Sequence, residues 1–74
     1  MLFDQNQQKC RVFTFTTNSD VGSVLHSTLL EVELNKHLDL FNRDGVQITS
    51  IAVSHSSIYN SIEETRIYTL IFLM

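Results

Sequence analysis

The chain has 74 residues, 43% hydrophobic and 18% charged, with 5 basic against 8 acidic side chains and a net charge of -3. This length supports one domain at most, and the acidic balance excludes general nucleic-acid binding, which needs a basic footprint. So small a core stabilises little by itself, and disulfides, metals or oligomerisation usually supplement it; Cys10 is the only cysteine, so no intrachain disulfide is available.

The opening "MLFDQNQQK" is a polar lead (residues 1–9) to the single domain 1–74, with Leu2 and Phe3 able to tuck onto the body. It lacks the apolar segment of a signal peptide. "CRVFTFTT" follows, rich in β-branched and aromatic residues and alternating, with Arg11, Phe13, Phe15 and Thr17 on one face. That pattern is a half-buried strand. "NSDVG" interrupts it, and Ser19 or Asp20 can accept a hydrogen bond from the free amides of a helix's first turn. The spacing predicts that helix from Val21 or Ser23 to Phe41, with Gly45 in a left-handed position beyond the last turn. Two apolar stripes run along it, one of Val21, Leu25, Leu29 and Val32 beside Thr28, the other of Leu30, Leu34, Leu38 and Phe41. A surface helix needs only one, so two stripes imply contact on two sides or a bend.

"VQITSIAVSHS" reads as a second strand whose phase changes: Val46 and Ile48 point one way, Ile51 and Val53 the other. Either both faces are covered or a bulge near Thr49 and Ser50 resets the register. The polar "SSIYNSIEE" extends the flanking strands as a protruding hairpin. "TRIYTLIFLM" is the third strand, with Tyr68, Leu70 and Phe72 on one face and Ile67, Ile71 and Leu73 on the other. Its apolar end, Leu70 to Met74, is far short of the roughly 20 residues that span a bilayer.

The resulting class is α+β, in the order β-α-β-β. A right-handed helical crossover makes the first two strands parallel, and the hairpin makes the third antiparallel to the second. The doubly apolar third strand belongs in the centre, giving the order 1-3-2 packed on one long helix. One sheet face then remains open, and an exposed apolar patch marks a partner site. The expected partner is a second copy, meeting Leu30, Leu34, Leu38 and Phe41 or Ile67, Ile71 and Leu73; the alternative cover is the N-terminal lead.

The run "LLEVELNKHLDLFNRDGVQITSIAVSHSS", followed after a gap by "IYTLIFLM", resembles the small sporulation-associated proteins of Gram-positive spore-formers and their phages. The matching helical positions are Leu30, Glu31, Leu34, Asn35 and Leu38; His37 stands where that family tends to be aromatic. The resemblance implies the strand-helix-strand-loop-strand layout and a bacterial or phage origin; the lone cysteine and the lack of a signal-peptide or bilayer-spanning segment make the cytoplasm of the bacterium or of the phage's host the expected location. The resemblance implies no biochemical activity.

Chemistry-bearing residues are sparse. His26 and His37 lie at similar helical angles with Glu33 one turn before His37, but a helix turn offers two ligands where zinc takes three or four. Their stripe reads as a solvated polar side, and neither metal nor cofactor is expected. His55 stands among Ser54, Ser56 and Ser57, yet nucleophilic catalysis would also need a rigidly held carboxylate and an oxyanion site, with only Glu63 or Glu64 on the loop to serve. Cys10 reads as a small packing residue, and Gly22 and Gly45 as helix-end residues. The best ligand surface is the hairpin with its strand ends: Ser57, Tyr59, Asn60, Arg66 and Tyr68 beside Ser54 and His55, with Arg11 joining if the first strand aligns. Arg66 would clamp an anion, unless it pairs with Glu63 or Glu64 as a staple of the hairpin.

Two readings follow. The first is a non-catalytic, homo-oligomeric interaction module that takes a protein partner through a sheet edge or the hairpin. The second is a phage-type protein that sequesters an anionic nucleotide or other small molecule between protomers. Neither involves an enzyme, general nucleic-acid binding or a membrane.

Overall fold

The structure, a computed structural model, describes residues 9–74. Its elements are β1 (Cys10–Asp20), α1 (Leu25–Arg43), β2 (Ser50–Asn60) and β3 (Glu63–Leu73). They form a three-stranded sheet in the order β1-β3-β2 with one helix, the α+β arrangement that the centrality of the doubly apolar strand requires. β3 is antiparallel to both neighbours along its whole length, from Cys10↔Leu73 to Asp20↔Glu63 on one side and from Ser50↔Leu73 to Asn60↔Glu63 on the other. The hairpin protrudes as expected, closed by Ser61 and Ile62, with Ser61 at φ 55.

Several boundaries differ from the sequence reading. β1 runs on to Asp20, so Ser19 and Asp20 are strand residues and not helix caps. The helix starts later, at Leu25, and ends later, at Arg43. Its N-cap is Val24, which makes no side-chain cap; the Ser23 hydroxyl accepts from the Leu25 N–H at 3.0 Å instead. Gly22, at φ 77, turns the chain between strand and helix. At the other end Gly45 takes the left-handed position, φ 74. The Val46 N–H reaches the Phe41 carbonyl at 2.9 Å and the Gly45 N–H reaches that of Asn42 at 3.2 Å. This is the Schellman closure, which satisfies carbonyls the helix leaves free and brings the residue after glycine back onto its last turn.

That closure brings Val46 and Ile48 onto the core before β2 begins at Ser50. The register then resets where expected: the Thr49 N–H donates to the Leu73 carbonyl at 2.8 Å while Ser50 is the ladder partner of the same Leu73, so two residues oppose one, as in a bulge. The core is Phe41, Leu70 and Phe72, flanked by Phe13, Phe15, Leu30, Leu34, Leu38 and Met74. The inward helix stripe is therefore the one through Leu30, Leu34, Leu38 and Phe41, and Phe41 is buried within the chain itself. Leu25, Leu29 and Val32 face outward.

The helix lies over β1 and β3 and does not reach β2, so Ile51 and Val53 stay exposed on the helix side of the sheet. The face away from the helix carries Val12, Ile67, Ile71 and Leu73 among threonines and serines. Its suggested cover by Leu2 and Phe3 lies outside the described residues. The Cα framework measures 53 × 28 × 13 Å, a thin plate with little interior.

Two substitutions test this account by chemical denaturation. Phe72→Ala removes the centre of the aromatic core and should cost about 3–5 kcal/mol. Gly45→Ala meets nothing within 4 Å, so its cost, about 1–2 kcal/mol, should come from backbone conformation alone.

Candidate functional site

Strand alternation sorts the helix-side face of the sheet into rows. Phe13, Leu70 and Val53 form one row, and Phe15, Tyr68 and His55 the next; Thr17, Arg66 and Ser57 follow, then Ser19, Glu64 and Tyr59. The face grades from apolar to polar toward the hairpin. The helix grades with it, laying Phe41 on the apolar end and His26, from its first turn, on the polar end.

The polar end is a connected network beneath the helix N-terminus. Ser57 donates its hydroxyl to Glu64 Oε2 at 2.8 Å, and Arg66 Nε donates to the same oxygen at 2.8 Å. Arg66 Nη1 donates to Tyr68 Oη at 3.1 Å. Tyr68 stacks on Phe15, ring centroids 5.1 Å apart, with His55 tilted against it at 5.3 Å. His26 is 0% exposed, hydrogen-bonded through Nδ1 to the Thr17 hydroxyl, with Nε2 3.7 Å from Glu64 Oε1. That separation is too long for a hydrogen bond, and Nε2 has no other partner among the described residues. A Thr17 hydroxyl donating to Nδ1 fits this geometry, leaving the ring N–H directed toward the carboxylate.

Electrostatics follow the bonding. The Arg66 guanidinium, then the Ser57 hydroxyl, then the charge of Arg66 and the Gly22 N–H hold the Glu64 carboxyl at about 2, from an ordinary 4.5, against the opposing effect of burial. Arg66 is held more firmly protonated, chiefly by its bond to Glu64 and secondarily by that to Tyr68. The buried anion is thus matched by one cation within the same strand.

The hydroxyl-imidazole-carboxylate order Thr17–His26–Glu64 is that of a hydrolytic triad. Thr17 is only 4% exposed, which leaves its oxygen no approach for a substrate, and the row acts as the joint between helix and sheet. The stripe holding His26 and His37 is accordingly not a solvated side of the helix. His37 stacks on Phe13 at 4.1 Å and lies 3.3 Å from Glu33. No cluster of three metal-binding side chains occurs among the described residues.

The expected ligand patch is partly assembled. Ser57, Arg66, Tyr68 and His55 are brought together, and Tyr59 and Asn60 continue along β2 to the turn. The Arg66 head is engaged by Glu64, the staple arrangement. Arg11 does not join: it pairs with Phe72 at the far end of the sheet and lies 5.5 Å over the Phe41 ring. There it borders a cleft of about 240 Å³ with Phe13, His37, Leu40, Phe41 and Asp44, small beside the roughly 300 Å³ lower bound of ligand pockets. Cys10 is exposed and not packed.

Comparison with known protein families, with curated proteins and with solved structures gave no match.

The network carries a pH signature. A carboxyl whose folded value is depressed contributes stability above its unfolded value and loses it as pH falls toward the folded one. The thermal midpoint should therefore drop as pH is lowered from 4.5 toward 2. In Glu64→Gln the midpoint at neutral pH should be lower and this acid-side slope flatter, both read by circular dichroism melts.

Proposed function

We propose that the chain is a small, non-catalytic interaction module that self-associates and takes a protein partner through a sheet edge or its hairpin. One observation carries the reading. Among the described residues the buried apolar ones are Phe41, Tyr68, Leu70 and Phe72, whereas Leu25, Leu29, Val32, Leu40, Ile51, Val53, Ile58, Tyr59 and Ile62 are all exposed, with others. Scattered surface apolar residues are ordinary, but these fall into groups: an outer helix stripe, the uncovered side of β2, and a hairpin tip where Ile58, Tyr59 and Ile62 are 59%, 63% and 74% exposed. Exposed apolar side chains grouped in this way mark contact with another macromolecule.

The anionic-ligand reading has less support. Its best cation, Arg66, already neutralises Glu64 at 2.8 Å, and releasing it would strand a buried carboxylate. The resemblance to small sporulation-associated proteins is compatible with an interaction module of bacterial or phage origin acting in the cytoplasm.

Sedimentation velocity over about 5–200 µM, the range in which interfaces of modest area assemble, should show a mass above that of one chain at the upper end. A single-chain mass throughout would overturn self-association. Leu29→Lys, on the exposed stripe, should change folding stability by no more than about 0.5 kcal/mol.

A further inference from the structure

The hydrogen-bond phase of the sheet identifies which backbone groups remain free. The Val21 N–H donates to the Ile62 carbonyl and the Met74 N–H to the Lys9 carbonyl, both at 2.8 Å. In an antiparallel ladder bonded and non-bonded pairs alternate. Even-numbered β3 residues therefore turn their backbone groups toward β1, and odd-numbered ones toward β2. Across that second ladder the partners are Ser50, Ala52, Ser54, Ser56, Ile58 and Asn60. The N–H and C=O groups of Ile51, Val53, His55, Ser57 and Tyr59 thus point outward along the edge of β2, which no other described strand pairs.

Natural edges are blunted by charge, proline, bulges or cover. The β2 sequence SIAVSHSSIYN contains no charged residue, proline or glycine, and the helix does not cover it. Its pattern is also nearly symmetric about His55: Ser54 balances Ser56, Ala52 balances Ile58, and Ile51 balances Tyr59.

We propose that two copies of the chain pair β2 to β2, antiparallel about a two-fold axis at His55, continuing the sheet to six strands. This rests on the self-association proposed above and assigns its surface. In this register each outward-facing residue meets another: Ile51 meets Tyr59 of the second copy, Val53 meets Ser57, and His55 meets its own equivalent. Each such pair exchanges two hydrogen bonds. Ile51 and Tyr59 form an apolar cross-strand contact on the helix side, and Ala52 and Ile58 form one on the other face. Moving the axis by one residue, to Ser54, would set Ile51 against Ser57 and Val53 against His55. The β1 edge is a poorer candidate. It carries Arg11 and Asp20, and the pairing about its centre at Phe15 would set Val12 against Asn18 and Phe13 against Thr17.

The edge is 11 residues long. At about 3.3 Å per residue and a sheet thickness of about 10 Å it buries roughly 350 Å² per copy. The total, roughly 700 Å², is below the ~1,200 Å² of standard stable interfaces, so the dimer is of the weak, micromolar class. The two-fold axis places both helices on one face, with the paired β2 strands as the floor between them.

Cross-linking in a Cys10→Ser background tests the register. Paired Cα atoms lie about 5.5 Å apart, within disulfide reach, whereas same-face neighbours offset by two residues are beyond ~7 Å. Under mild oxidation His55→Cys should yield a covalent dimer. Ser54→Cys and Ser56→Cys should each fail alone and cross-link when mixed. Val53→Pro removes an outward N–H without touching the β2–β3 ladder; if folded by circular dichroism, it should raise the dimer dissociation constant at least about tenfold. A dimeric wild type with no His55→Cys cross-link, or with Ser54→Cys linking alone, overturns the inference and leaves self-association standing. A monomeric wild type overturns both.

Discussion

The placement of β3 between two antiparallel neighbours is the constraint on which everything else depends. Paired on both sides from Glu63 to Leu73, this strand has its backbone bonding satisfied, and its alternate side chains decide what lies above and below. On the helix side the succession Glu64, Arg66, Tyr68, Leu70, Phe72 is a gradient from ionic to apolar. The helix must match it residue for residue, which is why an imidazole and a phenyl ring sit at its two ends. The ion pair settles the position of the helix N-terminus, since Glu64 is bonded from both sheet and turn, and the partial positive charge of that terminus favours the anion. The aromatic cluster settles the other end.

Such an architecture leaves two kinds of unfinished surface. The helix covers two strands of three, so among the described residues β2 has an apolar side without cover and an edge without a neighbour. A plate only a few strands wide cannot bury both faces with one helix, and the outer helix stripe adds to the exposed area. The buried polar row does not compete as a catalytic centre, because the burial that holds it together also closes it to substrates.

The fold was legible because its signals were local and mutually consistent: alternation in β1, a double-faced apolar run in β3, glycine after the helix. The phase change at Val46 to Val53 was legible together with one of its offered causes, since Thr49 and Ser50 both oppose Leu73; the Schellman closure was not, because a turn that carries Val46 back onto the core looks, in sequence, like the start of a strand. His26 was misplaced for a different reason. Its spacing to Leu30, Leu34, His37 and Phe41 is that of one continuous helix face, so the geometric signal existed. The usual preference of histidine for solvent outweighed it, and the buried partner that overrides this preference, Glu64, lies 38 positions away by its number in the chain. The role of Arg66 was visible only as an alternative, because pairing with Glu64 depends on Ser57 and the Gly22 amide completing the carboxylate's shell.

The pairing of β1 with β3 has a kinetic side. β2 and β3 are neighbours in sequence and close through a short turn, whereas Cys10 meets Leu73 across nearly the entire chain. Loop closure of that span must be met before its contacts return anything. A β2–β3 hairpin that formed first would leave the β1-facing edge of β3 open. Any strand of the right alternation can occupy that edge, including β1 from another molecule, and the product would be a strand-exchanged pair whose individual sheets are indistinguishable from the native one. Formation of such a pair would depend on concentration during refolding, not only in the native state.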